Sequence, residues 1–124
     1  MAKYEFSINV RPQFMPDHSQ PDEQKFMFAY TVTIRNTGEA PAQLISRHWI
    51  ITDANSRIEE VKGLGVVGEQ PTLQPGQAFE YTSGCPLATP VGSMRGTYHC
   101  VGDDGTRFEA PIPEFVLSMP RTLH

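Results

Sequence analysis

The sequence predicts an all-β domain built as a two-sheet sandwich, and three observations carry that expectation. Apolar and polar residues alternate with a period of two along several runs. No stretch shows the period of a helix. The chain's 11 prolines and 10 glycines punctuate those runs at the spacing of turns. A chain of 124 residues forms one domain, residues 1–124, and buries enough surface to hold a core without a metal or disulfide staple. Its 39% hydrophobic content is too high for a disordered chain, and its 19% charged content is unlike a coiled coil.

Tyr4, Phe6, Ile8 and Val10 alternate with polar neighbours and predict a half-buried strand that Pro12 limits. Residues 11–25, with Pro12, Pro16 and Pro21 among polar side chains, read as a long surface connection. Phe26, Phe28, Tyr30, Val32 and Ile34 form the clearest strand of the chain, closed by the Asn36-Thr37-Gly38-Glu39 turn. In residues 43–53 both parities are apolar at the middle, as in a central strand. Trp49 shares a parity with Ile45 and Ile51 and is expected in the core. Arg47, on the same parity, is expected to reach the rim. Ile58 to Val61 predicts a short edge strand, where Glu59, Glu60 and Lys62 discourage stray pairing. A strand at residues 79–82 follows the Pro75-Gly76 turn, and Ser83-Gly84 leads out of it into a connection holding Cys85. Residues 94–101 and 107–110 flank Gly102-Asp103-Asp104-Gly105 as a hairpin. Ile112, Phe115, Val116 and Leu117 mark a last strand, interrupted near its start by Pro111 and Pro113. Seven or eight short strands fit a sandwich more simply than a barrel, with a small oligonucleotide-binding barrel as the alternative.

The same residues exclude several function classes. No run approaches the length of a membrane span, and the first residues lead into alternation instead of a signal segment, so the expected location is the cytoplasm. A net charge of -4 gives no electrostatic footprint for nucleic acid or an anionic membrane. Gly63-Leu64-Gly65-Val66-Val67-Gly68 matches the glycine pattern of dinucleotide sites, which needs a following helix to hold the pyrophosphate. Pro71 and Pro75 deny it that helix. Two readings of the segment remain: a loop folded back on the sandwich, or a binding loop whose backbone N–H groups form an anion nest. Arg47, Lys62, Arg95 and His48 are the cations available to the second. The four histidines lack metal-ligand spacing, Cys85 and Cys100 lie too far apart along the predicted strands to bridge, and Ser83 has no nucleophile elbow. No catalytic residue, metal ligand or cofactor is therefore assigned.

Six runs together resemble the bacterial ApaG family. They are Phe26-x-Phe28-Ala29-Tyr30-Thr31-Val32-Thr33-Ile34-x-Asn36, Gln43-Leu44-x-Ser46-Arg47-x-Trp49-x-Ile51-Thr52, Gly63-x-Gly65-Val66-Val67-Gly68-Glu69-Gln70-Pro71, Tyr81-Thr82-Ser83-Gly84, Thr89-Pro90-x-Gly92-x-Met94-x-Gly96-x-Tyr98 and Ile112-Pro113-x-Phe115-x-Leu117. The resemblance covers essentially residues 4–124. It implies an immunoglobulin-like or fibronectin type III-like sandwich. It carries over no catalytic constellation, only the glycine motif at Gly63, Gly65 and Gly68, and Cys85 lies outside any invariant position it suggests. Related domains act through protein contacts, including in ubiquitin-ligase substrate adaptors, while divalent cation homeostasis and dinucleoside polyphosphate metabolism are the other roles associated with the family. The resulting expectation is a noncatalytic binding or regulatory domain for a protein partner. Arg47, Gly63, Gly65 and Gly68 are its candidate contact residues. The alternative is a domain that binds a divalent cation or a phosphorylated, pyrophosphate-containing small ligand.

Overall fold

The structure, a computed structural model, describes residues 2–120. Eight strands follow one another: β1 (Phe6–Phe14), β2 (Phe26–Asn36), β3 (Ala42–Asp53), β4 (Ile58–Leu64), β5 (Thr72–Leu73), β6 (Ala78–Leu87), β7 (Val91–Gly102) and β8 (Arg107–Ser118). They form two antiparallel sheets, one in the order β1-β2-β6 and the other β4-β3-β7-β8, with β5 pairing the start of β3. The expected sandwich is present, and no α-helix occurs among the described residues.

β2 supplies the middle of the core because every second residue is apolar. Phe26, Phe28, Tyr30, Val32 and Ile34 are buried against the facing sheet, and the intervening residues are half-buried or exposed. Trp49 is 2% exposed and meets Tyr30, Tyr98 and Phe115 edge to face. The hydroxyls of Tyr81 on β6 and Tyr98 on β7 bond to each other across the two sheets. Burial pushes both phenols well above their ordinary range, and both stay neutral at physiological pH.

Asn36, 1% exposed, ends β2 as a polar clasp. Its Nδ2 donates to the carbonyls of Ala40 and Leu73, and its Oδ1 accepts from the N–H of Gly38. These bonds tie the end of β2 to the following turn and to β5, with the Gly38 N–H shared with the Glu5 carbonyl.

Four sequence expectations are corrected, each for a local reason. β1 runs past Pro12 to Phe14, because the hydrogen bonds flanking β1, Met15 N–H to Met27 and Thr37 N–H to Glu5, put its odd residues toward β2. Pro12 falls on the even, outward side, where no donor is needed. β6 continues through Ser83, Gly84 and Cys85 to Leu87, since β2 is long enough to pair it to its end and Pro86 again takes the outward side. Cys85 is thus a buried strand residue, not a turn residue. β8 is one strand from Arg107 to Ser118, with Pro111 outward and Pro113 in a bulge opposite Arg95. Finally, Ile45 does not share the packed side of Trp49. A bulge between Leu44 and Ser46 changes the parity of β3, so Leu44 is buried before it and Trp49 after it.

Candidate functional site

Two concave regions meet at β3 and β4. The first is a seam of about 180 Å³ on the open flank of the sandwich, lined by Tyr30, Arg47, Glu59, Val61, Ser83 and Cys85 among others. The second lies on the outer face of the β4-β3-β7-β8 sheet. There the bulge brings Ile45 and Ser46 beside His99, Val101, Arg107 and Glu109 around a groove of about 690 Å³. A neighbouring depression of about 620 Å³ shares Ser46 and His99 and extends to His48, Lys62 and Leu64.

Alternation decides which cations belong to which region. Arg47 faces inward with Trp49, whereas His48 lies opposite Lys62 on the outer face. The cations proposed to surround the glycine segment therefore do not converge. Arg47 and Gly63 stand opposite each other in the β3–β4 register, and the guanidinium lies over Gly63 so closely that a Cβ there would be 2.8 Å from Nη1. Arg47 Nη1 donates to the carbonyls of Leu64 and Gly65, both at 2.9 Å.

Gly65 (φ 64°) turns the chain off the edge of the sheet, and a Cβ there would lie 2.3 Å from the Glu69 carbonyl. Val66 and Glu69 then exchange two hydrogen bonds around a two-residue turn, Val67-Gly68, while the Val66 side chain is fully buried. The segment folds back on the sandwich. Three of its donors are used within the sandwich: Gly65 N–H goes to Ile45, Val66 N–H to Glu69 and Glu69 N–H to Val66. A nest for an anion needs those N–H groups free, and the segment instead turns carbonyls toward Arg47. Gly68 lies at the solvent tip of the turn, with no atom within 4 Å of the position a Cβ would take.

Val67 carries strain. Its φ of 44° is the left-handed region, which a β-branched side chain rarely enters, and its turn has the mirror-image geometry that favours Asn-Gly. Because Val67 is 57% exposed, it returns little by packing. Val67→Asn is expected to stabilise the domain by about 1 kcal/mol, seen as a rise of about 4 °C in the melting midpoint. An unchanged or lower midpoint would remove the strain from the account.

The outer face holds the residues that the sequence reading missed as a group. His48 Nε2 meets Glu60 Oε1 at 2.8 Å, and His99 Nδ1 lies 3.7 Å from Glu109 Oε1. Ser46 and His99 are cross-strand partners, so the two histidines are diagonal neighbours on one face. The available signal was the shared outward parity of His48, Glu60 and Lys62, hidden in β3 by the bulge. His48 is thus hydrogen-bonded to Glu60, while Glu109 lies beside His99 beyond hydrogen-bond distance. Among the described residues no three His, Cys, Asp or Glu side chains converge as a metal group. In the seam, burial first and then the Glu59 charge push the Cys85 thiol up to about 11, while burial pushes Cys100 up to about 12. Both are free thiols on opposing sheets, and neither has the thiolate character a nucleophile needs. No described helix is long and apolar enough to cross a membrane.

Comparison with known proteins agrees with this architecture. The model of the ApaG domain matches residues 16–102. The protein ApaG of Bordetella pertussis is 64% identical over 121 residues, covering 98% of this chain and 92% of the relative. That of Ralstonia nicotianae is 61% identical over the whole of both chains. A crystal structure from Bordetella pertussis, named for an ApaA protein, superposes with a TM-score of 0.95 at 62% identity over 98% of each chain. With the motif runs, the two-sheet topology and the full-length relatives in agreement, the chain belongs to the ApaG family.

Proposed function

We propose that the domain is a noncatalytic binding or regulatory module whose protein partner docks on the outer face of the β4-β3-β7-β8 sheet. One observation carries this: the β3 bulge creates a broad depression on an otherwise uncovered sheet face, with apolar residues Ile45 and Val101 at its floor and His48, Lys62, Arg107 and Glu109 around it. An apolar floor inside a charged rim is the anatomy of a protein interface. The phosphorylated-ligand reading is weaker because the N–H groups of Gly65, Val66 and Glu69 are occupied and Arg47 is bonded to the segment's carbonyls, and the cation reading lacks a ligand cluster among the described residues.

The test uses partners captured from an extract of the native host and then measured by direct binding. Ser46→Arg and Val101→Arg place bulk on the groove floor while leaving the core residues in place. Each is expected to weaken a recovered partner at least tenfold, with the wild-type melting midpoint nearly kept. A partner that binds both variants as tightly as wild type would sink the assignment of this face. Calorimetric titration with NAD and inorganic pyrophosphate should give no binding tighter than about 1 mM. Micromolar pyrophosphate binding weakened by Arg47→Ala would reinstate the phosphate reading.

A further inference from the structure

We propose that the free edge of β4 is a self-recognition surface, on which a second copy of this chain adds its own β4 antiparallel in one register. Four strands end the two sheets: β1, β6, β4 and β8. Three of them carry proline on the side facing away from their neighbour or in a bulge: Pro12 on β1, Pro86 on β6, and Pro111 with Pro113 on β8. Proline at such positions blocks the addition of another strand. β4, with the sequence Ile-Glu-Glu-Val-Lys-Gly-Leu, has none.

The backbone of β4 presents one set of groups outward. The bonds from Gly65 N–H to the Ile45 carbonyl and from Asp53 N–H to the Arg57 carbonyl assign the odd positions of this strand to β3. Ile58, Glu60, Lys62 and Leu64 therefore direct their N–H and C=O groups to the open edge. A two-fold pairing centred on Val61 places Glu60 opposite the second copy's Lys62 and Lys62 opposite its Glu60, as hydrogen-bonded pairs. The same register sets Ile58 against Leu64, which in the free chain are 65% and 74% exposed. On the inner side it sets Glu59 against Gly63, where no side chain intervenes and the Arg47 guanidinium already lies. Each charge along the edge thus meets its opposite.

Shifting the register by one pair of residues in either direction destroys this match, since it puts Glu60 against Glu60 or Lys62 against Lys62. The charges that guard the edge against other strands select this one alignment. The chain leaves the edge at both ends of β4, through the turn at residues 53–56 and through Gly65. The dimer would join two β4-β3-β7-β8 paths into one continuous sheet, with the two outer grooves side by side. A seven-residue edge is smaller than a stable interface, so the association is weak, with a Kd on the order of 100 µM.

Sedimentation equilibrium of the full chain from about 10 µM to about 1 mM tests this, with no partner protein present, so its outcome is independent of the groove assignment. Wild type should pass from monomer to dimer. Lys62→Glu and Glu60→Lys should each weaken the dimer at least tenfold, and the double variant carrying both should restore it. These side chains are exposed, and circular dichroism with melting verifies that each variant is folded. A wild-type chain that stays monomeric at the highest concentration overturns the proposal. So does a dimer insensitive to the single substitutions, or a double variant as weak as either single one.

Discussion

Trp49→Ala should cost about 3 to 5 kcal/mol, read as a lower urea midpoint at unchanged slope. The indole is 2% exposed and bridges the sheets, touching Tyr30 of one and Tyr98 and Phe115 of the other. Its removal forfeits the transfer energy of the ring and opens a cavity that three aromatic neighbours are too rigid to fill. A loss of this size consumes a large part of the 5 to 15 kcal/mol typical of a domain. As the chain's one tryptophan, it also reports its own burial. Native emission should be blue-shifted and move red in a single cooperative step. Solvent-like native emission together with an unmoved midpoint would contradict the packing described above.

Asn36→Ala should be the second large loss, about 3 kcal/mol, although it removes few atoms. The substitution removes three hydrogen bonds from the buried turn: the carbonyls of Ala40 and Leu73 lose their side-chain donor, and the Gly38 N–H keeps only the Glu5 carbonyl at 3.1 Å. Asn36→Asp separates hydrogen bonding from volume. A carboxylate keeps the acceptor for Gly38 but faces two carbonyl oxygens, so at pH 7 this variant should be at least as unstable as the alanine one. The introduced carboxyl would be harder to ionise in the folded state than in the unfolded chain. Its stability deficit should therefore shrink as pH falls toward the unfolded carboxyl range, where the protonated group can donate to a carbonyl. Thermal melts of both variants at pH 4.5 and pH 7 measure this, after the wild-type pH dependence is subtracted. An aspartate variant with no relative recovery at low pH would show that the clasp is not a hydrogen-bonding device.

The fold was legible where a strand is flanked on both sides and has one dry face. The alternation of Phe26 to Ile34 follows directly from the pleat, and the structure buries those residues in that order. Legibility failed at edges and bulges. Pro12, Pro86 and Pro111 look like strand ends in a linear reading, because sequence alone does not state which side of a strand is unpaired. Once β1, β6 and β8 are known to be edges, their prolines are unremarkable. Ile45 failed for a different reason: an inserted residue changes parity without any mark in composition, so the outer groove could not be assembled from periodicity. The glycine segment was partly legible. Its lack of a helix followed from Pro71 and Pro75, whereas the occupation of the Gly65, Val66 and Glu69 N–H groups depends on contact with Ile45 and on the segment's own closure at Val66 and Glu69.

The β3 bulge also makes the strand a register with a frameshift in it. Residues 42–44 are written in one frame and residues 46–53 in the other, and Ile45 is the letter that separates them. Deleting that one letter would restore a single frame: Leu44 and Ser46 would become successive residues that keep Cys100 and His99 opposite them, and Ala42, Leu44, Arg47 and Trp49 would all still face inward. For the core, Ile45 is a spare letter. What its loss would erase is written on the other side of the page, where the bulge and the Ile45 side chain shape the outer groove.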